Sequence, residues 1–452
     1  MGIKGLTKLI LENAPEGYQE ITLANLSGQI IAIDASMTLY QFMIAIRQGN
    51  FATSLVNANG EPTSHIAGLM LRVAALLELG IRPIYVFDGE PPQAKSDTLL
   101  KRKERKEEAL KLLEQAMETG DLEEIKKQTS RTVRVSREQS KQAMKFLELC
   151  GLPVVEASQE AEAQCAYMVK WGIADVASTE DTDCLTFGTP VLIRNLSNAL
   201  AISSNKNSKF NSKSPKSHLL RIDLNKTLNG FKLNINQFVD LCILCGCDYC
   251  GKLKGVGPKT ALSLLQKYKT IEEIIAHKEI TCIDENFDYK MARDAFLSPK
   301  IVPKEEIKLE WREPNIPELI DFLVVKNNFN QDRVNKFINK LINIRKVKPQ
   351  QQISSFFKAK NTSIVSKSDA KIETTAMSLK PEVKCVIRKD EQISTIKNPT
   401  HESLSTPDKE VDKKNPQMSM CKSEREEGRK RTITLLQFCP SNVKVKKGVS
   451  SH

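Results

Sequence analysis

The chain has 452 residues, with 67 Lys and Arg against 55 Asp and Glu and a formal net charge of +12. That length accommodates one large domain or two or three modest ones, and the cationic excess suits a polyanionic partner better than an acidic one, although a solvated basic surface gives the same balance. The N-terminus MGIKGLT lacks the build of a signal peptide, Leu6 breaks the myristoylation pattern and no run approaches ~20 apolar residues, so a soluble intracellular protein is expected.

Up to about residue 92, apolar runs (GQIIAIDA, IRPIYVFD) alternate with helical stretches (MTLYQFMIAI, SHIAGLMLRVAALLELG), the rhythm of a parallel sheet with crossover helices. Ligands bind beyond the carboxyl ends of such strands, where Asp34 and Asp88 fall. Residues 95–142 then turn strongly charged and Gly-poor, which predicts exposed helices with little burial. The α/β rhythm resumes with GLPVVEA, EAEAQCAYMVKWG, ADVASTED and PVLIRNL, and is broken by a Ser-, Asn- and Lys-rich stretch at about 197–217 that reads as a disordered insertion. INQFVDLCILCGCDYC and KGVGPKTALSLLQKY predict helix, glycine turn, helix, and the rest is helical until a polar, aromatic-poor tail expected to be disordered from 358. Cys242, Cys245, Cys247 and Cys250 crowd together, but His is scarce and no second Cys pair has zinc spacing, so Cys242 and Cys245 read as small core residues in a reduced compartment.

Seven carboxylates stand where apolar runs end: Asp34, Asp88, Glu160, Glu162, Asp181, Asp183 and Asp248. Acids gathered at one end of a buried sheet repel one another unless cations lie between them, so the set reads as a divalent-metal site, and in a basic protein as phosphate chemistry. Two magnesium ions about 4 Å apart would suffice for in-line phosphodiester hydrolysis. Glu160 and Glu162 can share the first turn of a helix capped by Ser158, and Asp181 and Asp183, two apart at a strand end, can lie on one side.

MGIKGLTKLI, IAIDASMTLYQF, TSHIAGL, YVFDGEPPQAKS, EAEAQCA, ASTEDTDCLTFG, VDLCILCGCDY and GVGPKTA together resemble a eukaryotic or archaeal flap endonuclease of the XPG family, over residues 1 to about 357 apart from the insertion. The resemblance implies an α/β, PIN-like 5' nuclease fold, a mostly parallel sheet with helices on both faces. It divides the chain into nuclease region 1–106, helical arch 107–142, internal region 143–268, helical part 269–349, peptide 350–357 and tail 358–452. It implies two Mg²⁺, with Mn²⁺ as an alternative: Asp34, Asp88, Glu160 and Glu162 serve the first ion, and Asp181, Asp183 and Asp248 the second. Lys95, Arg102 and Asp181 are implied as catalytic, the cations offsetting charge on the scissile phosphate. Arg105 and Lys106 follow on the arch as phosphate tethers.

The implied DNA contacts are Tyr40, stacking on a base, and Arg47, Arg72, Glu160, Gly246 and Asp248. Gly255, Gly257 and Lys259 belong to a helix-two-turn-helix hairpin that meets duplex phosphates, in the family with K⁺. Arg333 is implied in a pocket for a one-nucleotide 3' flap near Phe329, where Asn327 replaces a common lysine.

Gln350, Ile353, Phe356 and Phe357 spell Q-x-x-I-x-x-F-F, which one tight turn folds into a hydrophobic plug with a polar anchor, the peptide by which replication proteins bind the sliding clamp PCNA. Residues 432–439 (TITLLQFC) keep part of that spacing and make a weak second docking candidate, for which a chance apolar patch is at least as good a reading. The resemblance further implies a monomer acting on 5' flaps, nicks and gaps, with 5' to 3' exonuclease activity, in Okazaki-fragment maturation and long-patch base-excision repair. Nuclear and nucleolar location is expected, with a mitochondrial pool left open, and the basic cluster GRKR at 428–431 suits nuclear import.

Overall fold

The strands of the fold are β1 (Tyr18–Ile21), β2 (Ile30–Asp34), β3 (Arg47–Gln48), β4 (Thr53–Ser54), β5 (Arg82–Phe87), β6 (Val154–Glu156), β7 (Val176–Ser178), β8 (Val191–Arg194) and β9 (Leu219–Asp223), and the central ones, β2, β5, β7 and β8, come from runs rich in Ile, Val and Ala. The computed structural model describes residues 2–45, 47–48, 53–204, 219–251, 253, 255–277 and 287–346. Seven strands make one sheet in the order β1-β9-β8-β7-β2-β5-β6, and β3 pairs with β4 as a separate ribbon. From β6 through β5, β2 and β7 to β8 the strands run parallel, and β9 and β1 close the sheet through antiparallel pairings.

IIAID and PIYVF carry no polar alternation because both faces of the sheet are covered. Ala32, Ile84, Val86, Ala177 and Leu192 face a core built with Leu6, Leu9, Ala163, Ala166, Phe238 and Ala261. Ile31, Ile33, Tyr85, Phe87, Val176 and Ile193 face a second core built with Leu39, Leu69, Val73, Phe146, Val334 and Phe337. Single-residue alternation along each strand therefore assigns neighbouring side chains to opposite layers. Close packing also joins the layers to the crevice: a Cβ on Gly89, just past β5, would stand 2.0 Å from the Ala157 carbonyl oxygen. No described helix is long and apolar enough to cross a membrane.

The charged excursion is a hairpin of two helices, Ser96–Thr119 and Leu122–Thr132. Gly120 turns the chain with φ 72°, and Asp121 caps the second helix by accepting from the Glu123 and Glu124 amides. Only Ala109, Ala116, Ile125 and Gln128 are buried in it, matching the sparse apolar content. The first helix runs unbroken through 106–107, so that region boundary is not a structural break. The next helix, Arg137–Leu149, belongs to the core through Ala143, Phe146 and Leu147, so the excursion ends before 142.

The expected disordered insertion is corrected at its start. Leu196–Ser204 is a helix, with Leu196, Ala199 and Leu200 buried at i, i+3 and i+4. That apolar stripe outweighs the Ser- and Asn-rich composition; residues 205–218 lie outside the described residues.

Candidate functional site

Six of the seven acids stand at or beyond the carboxyl ends of four neighbouring parallel strands. Asp34 is the last residue of β2 and Asp88 follows β5, while Glu160 and Glu162 come after β6 and Asp181 and Asp183 after β7. Strand order reverses about β2, which places the crevice where α/β sheets bind ligands. Asp248 reaches the same crevice from the end of the helix Ile235–Cys245.

Two local expectations are corrected. Ser158 does not cap the helix Ala161–Lys170. Glu160 occupies the cap position in extended conformation, and the Ala161 amide donates instead to Asp88 Oδ1 at 2.9 Å. This leaves Glu160 outside the helix and Glu162 in its first turn, so the two carboxylates converge on one cation. Asp181 and Asp183 do not lie at the strand end itself, since β7 stops at Ser178. They occupy the turn that opens the short helix Asp183–Thr186, where the Asp183 amide donates to Asp181 Oδ1 at 3.0 Å.

The electrostatics are those of an acid cluster that its neighbouring cations compensate only in part. Asp34 is pushed up to about 7, by burial first and then by Asp88, against hydrogen bonds from Met37 and Thr179 that favour its charge. Burial likewise raises Glu162 well above the usual carboxylate range, with Lys95 opposing and Glu160 adding to the rise. Burial and Asp181 raise Asp183, and both Asp183 carboxylate oxygens are buried without a partner. Oxygen donors with nothing to bind, in a set made only of carboxylates, fit hard divalent cations. Among the described residues no three His, Cys, Asp or Glu side chains stand close enough to form a single-ion cage. An ammonium lies among three of the acids instead.

That ammonium belongs to Lys95, which is buried in the turn preceding the charged hairpin. Its Nζ donates to Glu160 and lies 3.6 Å from Glu162 and 4.0 Å from Asp248. Burial alone would lower the Lys95 pKa, but Glu162, Glu160 and Asp183 together hold it above the ordinary lysine value. Arg102, two turns along the hairpin's first helix, meets Asp248 Oδ2 at 2.5 Å, and Thr98 donates to the Asp248 carbonyl at 2.7 Å. The hairpin is thereby anchored to the acid crevice by its own base.

The remaining predicted contacts divide. Tyr40 is partly exposed on the helix Ala35–Ala45. Gly246 ends its helix with φ 99°, a conformation that needs glycine. Gly255 also has positive φ, whereas Gly257 has φ −100° and a Cβ there would meet nothing, so the fold itself does not demand glycine at 257. The helix Pro258–Tyr268 starts there, with Lys259 pairing to Glu12 at 2.9 Å. Arg333 lies in the first turn of Gln331–Lys346.

Arg72 is not presented as a surface arginine. It is 7% exposed, with its guanidinium 5.0 Å over the Phe42 ring, and it meets the crevice only through a recess shared with Asp34, Thr179 and Glu180. The reason is its placement on the core face of Ser64–Glu78. Asn327 turns inward and donates to the Phe322 carbonyl at 2.8 Å, which takes it away from any phosphate. The Arg47 side chain and Gln350, Ile353, Phe356 and Phe357 lie outside the described residues.

Three participants escaped the sequence reading. Tyr249 donates its hydroxyl to Glu160 and lies under Lys95 at 5.1 Å. Thr179 bridges Asp34 and the Asp181 amide at 2.8 and 3.1 Å. Gly2 abuts the site so closely that a Cβ would fall 2.1 Å from Asp181 Oδ1. Tyr249 and Thr179 adjoin the acidic motifs, and that adjacency was the available signal.

The family model described as XPG N-terminal domain matches residues 1–109, and that described as XPG I-region matches residues 151–248. The acid-lined sheet with its charged hairpin thus defines an XPG-type protein. A flap endonuclease 1 of Plasmodium knowlesi is 48% identical over 387 residues, covering 85% of this chain and 64% of the relative. That of Plasmodium chabaudi chabaudi is 48% identical over 360 residues, covering 79% and 74%. The solved flap endonuclease-1 of Methanococcus jannaschii, 32% identical, superposes with a TM-score of 0.54 over 73% of this chain and 97% of its own. The chain belongs to the flap endonuclease 1 family. It spans about 64% of the length of the Plasmodium knowlesi relative.

Proposed function

We propose that the chain is a structure-specific 5'-flap endonuclease with 5' to 3' exonuclease activity, cutting DNA at junctions of single and double strand. The observation that carries this is the meeting, at four adjacent strand ends, of acids that are mostly buried and include the Asp183 carboxylate, whose oxygens have no hydrogen-bond partner, with the cations at the base of a charged helical hairpin.

Asp34, Asp88, Glu160 and Glu162 would hold one Mg²⁺ and Asp181, Asp183 and Asp248 another, with Mn²⁺ as a substitute. When bound, such ions activate water and neutralise charge on the leaving oxygen of a phosphodiester. The chain's own residues do the rest. Lys95 and Arg102 now answer carboxylates, and a phosphate entering the crevice competes for the same two donors, bringing the scissile group between base and hairpin. Tyr249 fixes Glu160 by its hydroxyl and supports Lys95 by its ring, while Thr179 orients Asp34. The helical hairpin arches the single-stranded flap over the acids. Gly255, Gly257 and Lys259 meet the duplex backbone, where the absence of a side chain at 257 leaves amides open to a phosphate, with K⁺ assisting as in the family.

The wider reading is a monomer that joins PCNA through Gln350, Ile353, Phe356 and Phe357, in Okazaki-fragment maturation and long-patch base-excision repair, in the nucleus and nucleolus with a mitochondrial pool. Cleavage of a labelled 5'-flap duplex in Mg²⁺ tests the core of it. The expected outcome is cutting near the junction that Asp181→Ala abolishes; undiminished cutting by the variant contradicts the two-metal assignment.

A further inference from the structure

Five of the seven described cysteines are buried, while Cys247 and Cys250 are only half-buried. Their Sγ atoms stand 3.6 Å apart in the loop that leaves Gly246. Between them in sequence lie Asp248 and Tyr249, and each reaches into the acid crevice: Asp248 to Arg102 at 2.5 Å, Tyr249 to Glu160. A metal site on this pair lacks further ligands, since no third His, Cys, Asp or Glu side chain groups with the two thiols among the described residues. Two thiols in contact on an accessible loop, with no metal to share, are placed for oxidation.

We infer that Cys247 and Cys250 form a reversible oxidation site, which a peroxide closes to a disulfide and a dithiol reopens, and that closure disables the acid crevice. One thiol sulfur attacks a peroxide oxygen; the O–O bond breaks, leaving a sulfenic acid and one water. The second thiol attacks that sulfur, the S–O bond breaks, and a second water leaves with the remaining thiol proton. Two thiols lose two electrons in all, and the peroxide gains them. A disulfide needs its sulfurs about 2.05 Å apart, so closure draws the loop ends together and re-aims the two side chains it spans. A displacement of about 1 Å at a reacting centre can cost about 100-fold in rate.

The regulatory half of this inference rests on the nuclease reading; the chemical half does not. Full-length protein is exposed to hydrogen peroxide, its remaining thiols are alkylated, and peptides are mapped by mass. The expected result is a Cys247–Cys250 crosslink, a loss of flap cleavage of about 10- to 100-fold, and recovery on adding dithiothreitol. Cys247→Ser with Cys250→Ser should cut normally and resist peroxide. Alkylation of both thiols after peroxide overturns the site, and a mapped crosslink with unchanged cleavage overturns the regulation. If reduced wild type does not cut at all, the nuclease reading fails instead. The inference then stands only if oxidation diminishes the rise in melting temperature caused by Mg²⁺, and falls if that rise is unchanged.

Discussion

Asp34→Asn removes one buried charge from the crevice while keeping its shape. Asp34 is 2% exposed, and it accepts from the Met37 amide at 3.0 Å and the Thr179 hydroxyl at 2.8 Å. An asparagine keeps the first bond as acceptor and replaces the second by donating to the Thr179 oxygen. Burial and Asp88 push the carboxyl from its ordinary 3.8 up to about 7. At 1.36 kcal/mol per pH unit this costs the metal-free fold about 4 kcal/mol once the group is ionised. The folded protein holds this proton more tightly than the unfolded chain does. The cost is therefore absent below pH 3.8, grows as pH rises and is complete above about 7. Thr179 also accepts from the Asp181 amide at 3.1 Å, so the asparagine fits less well than the acid and the net gain should be about 2–4 kcal/mol at pH 8. Urea unfolding in EDTA at pH 5 and pH 8 measures it. The variant should be the more stable protein at pH 8, by a margin that shrinks by more than half at pH 5, and it should no longer cut DNA. A variant no more stable than wild type at pH 8, or a margin that ignores pH, refutes the electrostatic account.

Two further outcomes follow from the same geometry and from the tail. Lys95→Met keeps the length of the side chain but removes the cation facing Glu160, Glu162 and Asp248. Single-turnover cleavage should fall about 10²- to 10³-fold with little change in DNA affinity, and metal-free stability should drop by about 3–5 kcal/mol; an unchanged rate would remove Lys95 from the chemistry. Phe356→Ala with Phe357→Ala should leave cleavage of naked DNA nearly intact and abolish stimulation by PCNA, and equal stimulation of variant and wild type would refute the clamp peptide.

Much of the sheet was legible because its central strands are short apolar runs, each followed within a few residues by acid, a pattern that fits burial on both faces. The helical hairpin was legible from charge density and lack of glycine. What was not legible depended on partners distant in sequence. The cap of the helix after Glu160 comes from Asp88, 73 residues earlier, so Ser158 looked locally correct and was not used. Arg72 sits in an apolar helix, and only the Phe42 ring packed beneath it shows that its charge is folded inward. Asn327 is read from sequence as a weakened contact, whereas the structure assigns its amide to the Phe322 carbonyl. At Leu196–Ser204 three apolar residues sufficed to form a helix within a polar stretch. The Cys247–Cys250 contact needed coordinates, since i, i+3 spacing in a loop does not fix a distance.

The most direct measurement is cleavage-site mapping on matched 5'-flap, bubble and gapped DNA substrates in Mg²⁺, with Asp183→Asn as control. Cutting is expected to concentrate near the junction on the 5'-flap strand, with a 5'-phosphate on the product and no cutting by the control. Preferred cutting of bubbles, cleavage scattered along the single strand, or an active control would contradict it.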